Sequence, residues 1–283
     1  MPGAPAAAIM CAIYWRASMA ELPPNIELVH LFAVSRSAAA ARARLAAMLE
    51  NPETHVRAER MLTLWRSHPG VYDRVRKIEA IAQQGTAWRD VFDAAAAVDP
   101  CAAVALYSLG DADLLAAATE ELAEAMRRWQ VLASGTVVLD FGCGTGRISA
   151  AIAPYVARVL GVDASPRMVD VARAAVARHA NAAVIEADCL SALRGDRFDV
   201  VLAIDTMPYV VQAGDADAFW EEADALLNPG GAVLMMNYSY RGDPARDDED
   251  VTAFAARHGF LVARCGTQDL THWDGRAFLL HKI

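Results

Sequence analysis

The feature that most constrains this chain is an alternation that begins at Gly135. Short runs of β-branched and apolar residues there alternate with segments of helical pattern. The runs are TVVLDFG, ARVLGVD, AAVIEAD, FDVVLAID and GAVLMMNY. Strands that are apolar on both faces are typical of a parallel sheet covered by helices on both sides. The alternation predicts a doubly wound, mostly parallel α/β sheet that binds ligands at the carboxyl ends of its strands.

The end of the chain departs from this alternation. Two apolar runs, GFLVARCGTQDL and GRAFLLHKI, are separated by His272-Trp273-Asp274-Gly275. An Asp-Gly pair between two strands is a hairpin signal. We therefore expect an antiparallel pair of strands that completes a seven-stranded sheet.

Residues 35–110 carry helical patterns without an intervening strand, so we expect an all-α section there. Ser35 or Ser37 can cap its first helix, and Pro52 can open the next. Thr86 can cap a later one. The domain with the sheet is expected over 111–283.

Residues 1–34 are expected to be a poorly ordered or extended N-terminus. The apolar opening has no positive residues ahead of it, so a signal peptide is disfavoured, and a loosely ordered terminus or a true start at Met19 is the preferred interpretation. No apolar run is long enough to span a bilayer. The sequence is typical of a soluble protein.

Charge and cysteine usage exclude several classes of function. The net charge is -9, and the basic residues are scattered, whereas a nucleic-acid backbone needs a dense cationic patch. Five cysteines form no CxxC pair and have no histidine at metal-ligand spacing. We therefore expect no metal, no disulfide and no nucleic-acid partner, and a cytoplasmic location.

A glycine-rich loop follows the first predicted strand. Its sequence, Asp140-Phe141-Gly142-Cys143-Gly144-Thr145-Gly146, spaces the glycines G-x-G-x-G rather than G-x-G-x-x-G as in dinucleotide sites. The Asp140 carboxylate would repel a pyrophosphate but suits a ligand that carries positive charge. The loop therefore predicts a ligand site and disfavours a nicotinamide or flavin.

This loop resembles the glycine-rich motif of class I S-adenosylmethionine-dependent methyltransferases, and the likeness extends from about Asp111 to Ile283. The resemblance implies a Rossmann-like methyltransferase fold, with S-adenosylmethionine as cofactor and S-adenosylhomocysteine as product. Asp163 would hold the ribose hydroxyls and Asp188 would lie near the adenine. Pro229-Gly230-Gly231 would form a turn before the fifth strand. The cofactor residues that it implies are Asp140, Gly142, Cys143, Gly144, Gly146, Asp163, Ala164, Met168, Asp188, Cys189 and Asp205.

Structural roles remain open for several of these residues. Asp163 could instead cap the following helix, and Asp188 could be a solvated loop carboxylate. Cys143 and Cys189 fit the role of small apolar residues better than that of nucleophiles.

Aromatic residues and one histidine are the candidates for contact with the methyl acceptor. Tyr209, after the fourth strand, and His272 are the candidate catalytic residues. Tyr238 and Tyr240, at the end of the fifth strand, would face the same edge of the sheet, and Tyr107 would lie where many class members close over the cofactor. Aromatic residues at a sheet edge are as often packing residues.

The function that these expectations favour is transfer of a methyl group to the oxygen or nitrogen of a small molecule. The helical section would form a lid or a homodimer face. Two alternatives stay open: a methyltransferase that acts on tRNA or a protein side chain, and a non-catalytic S-adenosylmethionine-binding regulatory subunit.

Overall fold

The computed structural model describes residues 22–85 and 87–283. It divides into two compact units. Met1–Ala117 with Thr271–Asp274 form the first, which we call the helical unit, and Ala118–Leu270 with Gly275–Ile283 form the second, the sheet unit. Cys11, Thr86 and the proposed start at Met19 lie outside the described residues.

The helical unit contains α-helices and one 3-10 turn within its described residues, as predicted. Ser37 caps α2, and its Oγ accepts a hydrogen bond from the Ala40 N–H at 3.1 Å. The bounds are α1 Pro24–Ala33, α2 Ala38–Glu50, α3 His55–Ser67, α4 Val71–Gln84, α5 Trp88–Ala96, α6 Pro100–Val104, a 3-10 turn Leu106–Ser108, and the start of α7 Ala112–Arg128. The expected boundary at residues 110 and 111 is displaced into α7.

Helix α1 corrects, over Pro24–Ala33, the expectation that residues 1–34 are poorly ordered or extended, whereas residues 1–21 lie outside the described residues. Pro24 occupies a first-turn position, where the missing N–H costs no hydrogen bond. Leu28 and Phe32 are fully buried. The Phe32 ring meets Trp65 and Tyr72 edge-on, with centroids 4.9 and 5.3 Å away. Burial of its apolar side chains stabilises a helix where the sequence shows two prolines.

Helix α3 begins three residues later than predicted. Pro52 does not open it, because residues Asn51–Thr54 form a turn in which the Asn51 side chain accepts the Glu53 N–H at 3.0 Å. An asparagine turn of this kind competes with the helix for the same backbone. Helix α3 therefore starts at His55.

The sheet unit contains seven strands in the order β3-β2-β1-β4-β5-β7-β6. Strands β1 to β5 pair in parallel, and β7 is antiparallel to both β5 and β6. The predicted mostly parallel, seven-stranded fold is thus confirmed. The strands are β1 Val137–Phe141, β2 Arg158–Asp163, β3 Ala182–Glu186, β4 Phe198–Ile204, β5 Leu227–Met236, β6 Phe260–Thr267 and β7 Ala277–Lys282.

Helices cover the sheet and connect its parallel strands. They are the rest of α7, α8 Arg147–Ile152, α9 Pro166–Val176, α10 Met207–Ala213, α11 Ala216–Leu226 and α12 Pro244–His258. The core between β4, β5, β7 and helices α11 and α12 includes Trp220, Phe198 and Phe278, all fully buried. No helix within residues 22–85 and 87–283 is long and apolar enough to cross a bilayer.

Two local predictions about the strands need correction. Pro229-Gly230-Gly231 lies within the bounds of β5 rather than ahead of them, and it interrupts the pairing with β4, which moves from Phe198 with Leu227 to Val200 with Ala232. The β6–β7 connection runs from 268 to 276 and is no tight Asp-Gly turn. Four of its residues belong to the helical unit, so packing there, rather than local turn geometry, determines its length.

Candidate functional site

The glycine-rich loop connects β1 to α8 at the carboxyl edge of the sheet. Gly142, Gly144 and Gly146 have φ angles of +71°, +56° and +72°, which only glycine adopts without strain. The N–H groups of Gly142 and Cys143 both donate to the Val162 carbonyl, at 2.8 and 2.9 Å. The loop is thereby fixed to the neighbouring strand β2.

Two of the glycines are also required by close packing. A Cβ on Gly142 would overlap the Thr206 side chain, which follows β4. A Cβ on Gly146 would lie 2.9 Å from the Ala172 Cβ in α9. The loop is therefore wedged between the end of β4 and helix α9, and its remaining surface is bare main chain.

Asp163 ends β2 and binds the loop directly. Its Oδ2 accepts the Gly144 N–H at 2.8 Å, and its Oδ1 accepts the Ser165 N–H at 2.9 Å. Burial raises the pKa of Asp163, opposed by these hydrogen bonds. Each carboxylate oxygen has two lone pairs, so both can accept a further hydroxyl donor. Asp163 stands where the sequence predicts a ribose ligand.

The cap of α9 is Ser165, not Asp163. The Ser165 Oγ accepts the Met168 N–H at 3.2 Å. This leaves the Asp163 side chain with the loop and removes the capping interpretation of that residue.

Asp140 lies beneath the loop and is only 1% exposed. Its carboxylate accepts a 2.7 Å hydrogen bond from Ser149 Oγ in α8. Burial raises the pKa of Asp140 to about 6, although the Ser149 hydrogen bond lowers it. The side chain fastens the loop to α8 from below, and direct contact between Asp140 and a ligand stays a prediction.

The other predicted cofactor residues differ in how far they are exposed to solvent. Met168 is 1% exposed and Cys143 is nearly buried, so their side chains pack under the loop. Burial raises the pKa of the Cys143 thiol, which fits the predicted apolar role. Asp188 and Cys189 follow β3, where Asp188 is exposed and the Cys189 Sγ lies 3.1 Å from the Ser191 Oγ. Ala164, between Asp163 and Ser165, is half-buried.

A second polar cluster lies at the ends of β4 and β5. Asp205 Oδ1 accepts hydrogen bonds from Asn237 Nδ2, at 2.8 Å, and from the Tyr240 hydroxyl. Tyr209 is hydrogen-bonded to Tyr240, and their rings meet edge-on at 5.9 Å. Asn237 was missed from the sequence, because its role depends on the pairing of β4 with β5.

Tyr238 is a core residue, which corrects its proposed contact with an acceptor. It is 2% exposed and packs against Phe254 and Phe278. Burial raises its pKa. The backbone leaves the extended conformation at Asn237, whose φ is +59°, so strand alternation does not govern Tyr240, and its hydroxyl reaches Asp205.

Tyr107 and His272 belong to the helical unit. The Tyr107 ring stacks on Trp273 with centroids 5.6 Å apart, and Trp273 is buried. The Asn25 side-chain amide donates to the carbonyls of Tyr107 and His272, at 2.9 and 3.4 Å. These contacts assign Tyr107 and Trp273 to packing within that unit, and a role for either Tyr107 or His272 toward an acceptor stays a prediction.

Comparison with known families now identifies the sheet unit. Residues 138–231 match the family model described as "Methyltransferase domain". This segment includes the glycine loop, Asp163, Asp188 and Asp205, and it lies in a seven-stranded sheet with an antiparallel β7. The sheet unit is similar to a methyltransferase domain.

Curated relatives match only part of the chain. Ubiquinone biosynthesis O-methyltransferase of Azorhizobium caulinodans is 34% identical over 107 residues, which are 36% of this chain and 40% of that protein. The protein of the same name from Methylocella silvestris is 36% identical over 106 residues, 35% of this chain and 39% of that protein. The match thus spans about two fifths of the length of these relatives.

Solved methyltransferases also resemble the chain. Magnesium protoporphyrin IX methyltransferase (ChlM) from Synechocystis PCC 6803, with bound SAM, gives a TM-score of 0.48 at 19% identity, covering 78% of this chain and 96% of that one. The N-methyltransferase NodS from Bradyrhizobium japonicum, in complex with S-adenosyl-L-homocysteine, gives 0.44 at 18% identity, covering 56% and 87%.

Proposed function

We propose that this protein transfers the methyl group of S-adenosylmethionine to a small-molecule acceptor, with a hydroxyl oxygen as the favoured acceptor atom. The observation that carries the proposal is the 2.8 Å hydrogen bond between Asp163 and the Gly144 N–H. It places a carboxylate and a stretch of bare backbone on one preorganised surface at the carboxyl edge of the sheet. Such a surface suits a nucleoside that also carries positive charge.

The residues present fit this cofactor. Asp163 would accept hydrogen bonds from the ribose hydroxyls, the loop from Gly142 to Gly146 would contact the methionine part, and Asp188 with Cys189 would border the adenine. When bound, the cofactor supplies a methyl group activated by a sulfonium. Asp140 and Ser149 would act from beneath by keeping the loop in place.

The protein's own tasks are to align the acceptor and to exclude water. Displacement at an activated methyl group gains most of its acceleration from orientation, because the reacting atoms must lie in line. Closure of the site also removes water that would compete as the acceptor. We propose that the helical unit acts as the lid or as a homodimer face.

The net charge of the protein and the names of its curated relatives both support a class of acceptor. The net charge of -9, with scattered arginines, disfavours tRNA. The curated relatives are named for O-methylation, which favours an oxygen over a nitrogen acceptor. The scattered cysteines, with no CxxC pair in the sequence, fit the proposal of a cytoplasmic location.

Calorimetry with S-adenosylmethionine tests the cofactor proposal. We expect binding in the micromolar range, about -8 kcal/mol, and no competition by NADH. Absence of binding, or a preference for NADH, would contradict the proposal. Transfer of labelled methyl groups to a small-molecule extract, but not to bulk tRNA, tests the acceptor class.

A further inference from the structure

Two strained residues stand side by side at the carboxyl edge of the sheet. Asp205 follows β4 and Asn237 follows β5, and their φ angles are +61° and +59°. Non-glycine residues seldom adopt this region, and it persists only where the surroundings impose it. Here the hydrogen bond from Asn237 Nδ2 to Asp205 Oδ1 links the two side chains.

The backbone around this pair is fixed from both sides. The Asp205 N–H donates to the Met236 carbonyl at 3.0 Å. The Asn237 N–H donates to the Arg276 carbonyl at 2.8 Å, and the Arg276 N–H returns a hydrogen bond to Asn237 Oδ1 at 2.9 Å. Three neighbouring strands thus hold the Asp205 carboxylate at a defined position. Strain retained at such a point is typical of a functional site.

The two tyrosines form a hydrogen-bond chain with a defined direction. The Tyr240 hydroxyl has a single proton, and it donates that proton to the Asp205 carboxylate. The Tyr240 oxygen keeps its lone pairs, so it can accept the Tyr209 hydroxyl proton where the two phenols meet. A proton that enters at Tyr209 can therefore pass through Tyr240 to the Asp205 carboxylate.

The hydrogen-bond chain formed by the two tyrosines and Asp205 begins beside the glycine loop. Thr206 follows Asp205 directly, and its Oγ1 donates to the Phe141 carbonyl at 3.0 Å. The Tyr209 N–H donates to the Thr206 carbonyl at 3.1 Å. Asp205, Tyr209 and Tyr240 are each half-buried. The three residues thus lie next to the glycine loop at the carboxyl edge of the sheet.

We propose that Tyr209, Tyr240 and Asp205 form a proton relay for a hydroxyl-bearing acceptor such as a phenol, an inference that rests on the methyl transfer proposed above. The acceptor oxygen forms a bond to the methyl carbon while the carbon–sulfur bond breaks and its electron pair returns to sulfur. The acceptor proton passes to the Tyr209 oxygen, the Tyr209 proton to Tyr240, and the Tyr240 proton to Asp205. The sulfonium charge and the carboxylate charge disappear together.

The electrostatics of Tyr209 support a relay rather than a phenolate base. Burial, together with the negative charge of Asp205, raises the pKa of Tyr209 far above its ordinary value. Tyr209 therefore stays protonated and can pass a proton on only by receiving another. A phenol hydroxyl can do both at once, since it donates one hydrogen bond and accepts others.

Two phenols of similar size and different acidity test the relay. At a pH where 4-nitrophenol is ionised and 4-methylphenol is neutral, only 4-methylphenol needs to lose a proton. For Tyr209→Phe, Tyr240→Phe and Asp205→Asn we expect kcat with 4-methylphenol to fall roughly 100-fold or more, while kcat with 4-nitrophenol changes less than about threefold. The three residues carry the proton in series. The double variant Tyr209→Phe/Tyr240→Phe should therefore lose no more kcat with 4-methylphenol than either single variant.

Tyr155→Phe is the matched control. Tyr155 precedes β2, at the opposite edge of the sheet, where its ring faces Arg127. We expect it to leave both rates unchanged. Equal losses with both phenols in the three variants would overturn the relay, as would no turnover of either phenol by wild-type protein that binds S-adenosylmethionine. Failure to bind S-adenosylmethionine would instead overturn the proposed function.

Discussion

The carboxylate of Asp163 accepts a hydrogen bond from the Gly144 N–H at 2.8 Å, which joins the end of β2 to the middle of the glycine loop. The residue proposed to hold the ribose therefore also holds the loop. Binding and loop order are coupled through one side chain, and a substitution there should affect both.

Replacement of Asp163 by alanine should weaken S-adenosylmethionine binding by about 1 to 3 kcal/mol, because charge-assisted hydrogen bonds to the ribose are lost. Calorimetry measures the change. Asp170→Ala is the control, since Asp170 lies on the outer side of α9 with its side chain 80% exposed. Unchanged affinity in the Asp163 variant would mean that the adenosine lies elsewhere.

Asp140→Asn should alter the pH dependence of stability. The pKa of Asp140 is raised from 3.8 to about 6 in the folded protein, so the contribution of the carboxyl to folding is fully present below about pH 4 and lost as the pH rises through 6. From about pH 4 to pH 7 the wild type should therefore lose about 2 kcal/mol relative to the asparagine variant. Urea unfolding at both pH values measures this loss. Parallel pH curves for the two proteins would show that Asp140 is not strongly perturbed.

Three glycine-to-alanine variants separate packing from backbone strain. Gly142 has a positive φ, and a Cβ there would overlap the Thr206 side chain. Gly230 has a positive φ, but a Cβ there would meet no other atom. Gly135 has neither constraint. We expect losses in the free energy of unfolding of about 2 to 4, about 1 and about 0 kcal/mol, in that order. Thermal unfolding provides the comparison. A Gly142 variant as stable as the Gly230 variant would mean that Thr206 moves aside at little cost.

Tyr238 should behave as a core residue in kinetics and in stability. Tyr238→Phe keeps the ring between Phe254 and Phe278, so KM and kcat for any acceptor should change less than about twofold. Tyr238→Ala should lower the free energy of unfolding by about 3 to 5 kcal/mol, because it opens a cavity. A rise in KM for the phenylalanine variant, at unchanged stability, would show that the Tyr238 hydroxyl contacts the acceptor.

The sheet could be predicted from the sequence because each strand is locally distinct. Apolar β-branched runs such as FDVVLAID alternate with helical segments, and that alternation determines a parallel, doubly wound topology. The glycine loop is equally local, since its spacing and its place after β1 are visible without tertiary structure. Asp163 follows from its position at the end of the second run.

Features that depend on tertiary packing could not be predicted. Asn237 meets Asp205 only because β4 and β5 pair in one register, which the sequence does not display. Burial of Asp140 depends on Ser149, nine residues away on α8. Helix α1 was missed because Pro23 and Pro24 suggest an extended segment, whereas Pro24 occupies a first-turn position.

The long connection between β6 and β7 makes neither unit a continuous stretch of sequence. The chain enters the sheet unit at Ala118, leaves it for Thr271–Asp274 and returns at Gly275. Tyr107 and Trp273, which stack on each other, are therefore encoded on opposite sides of that unit. A single recombination point near residue 118 would transplant only one half of this aromatic pair, so exchange of the helical unit between homologous genes requires two coordinated changes.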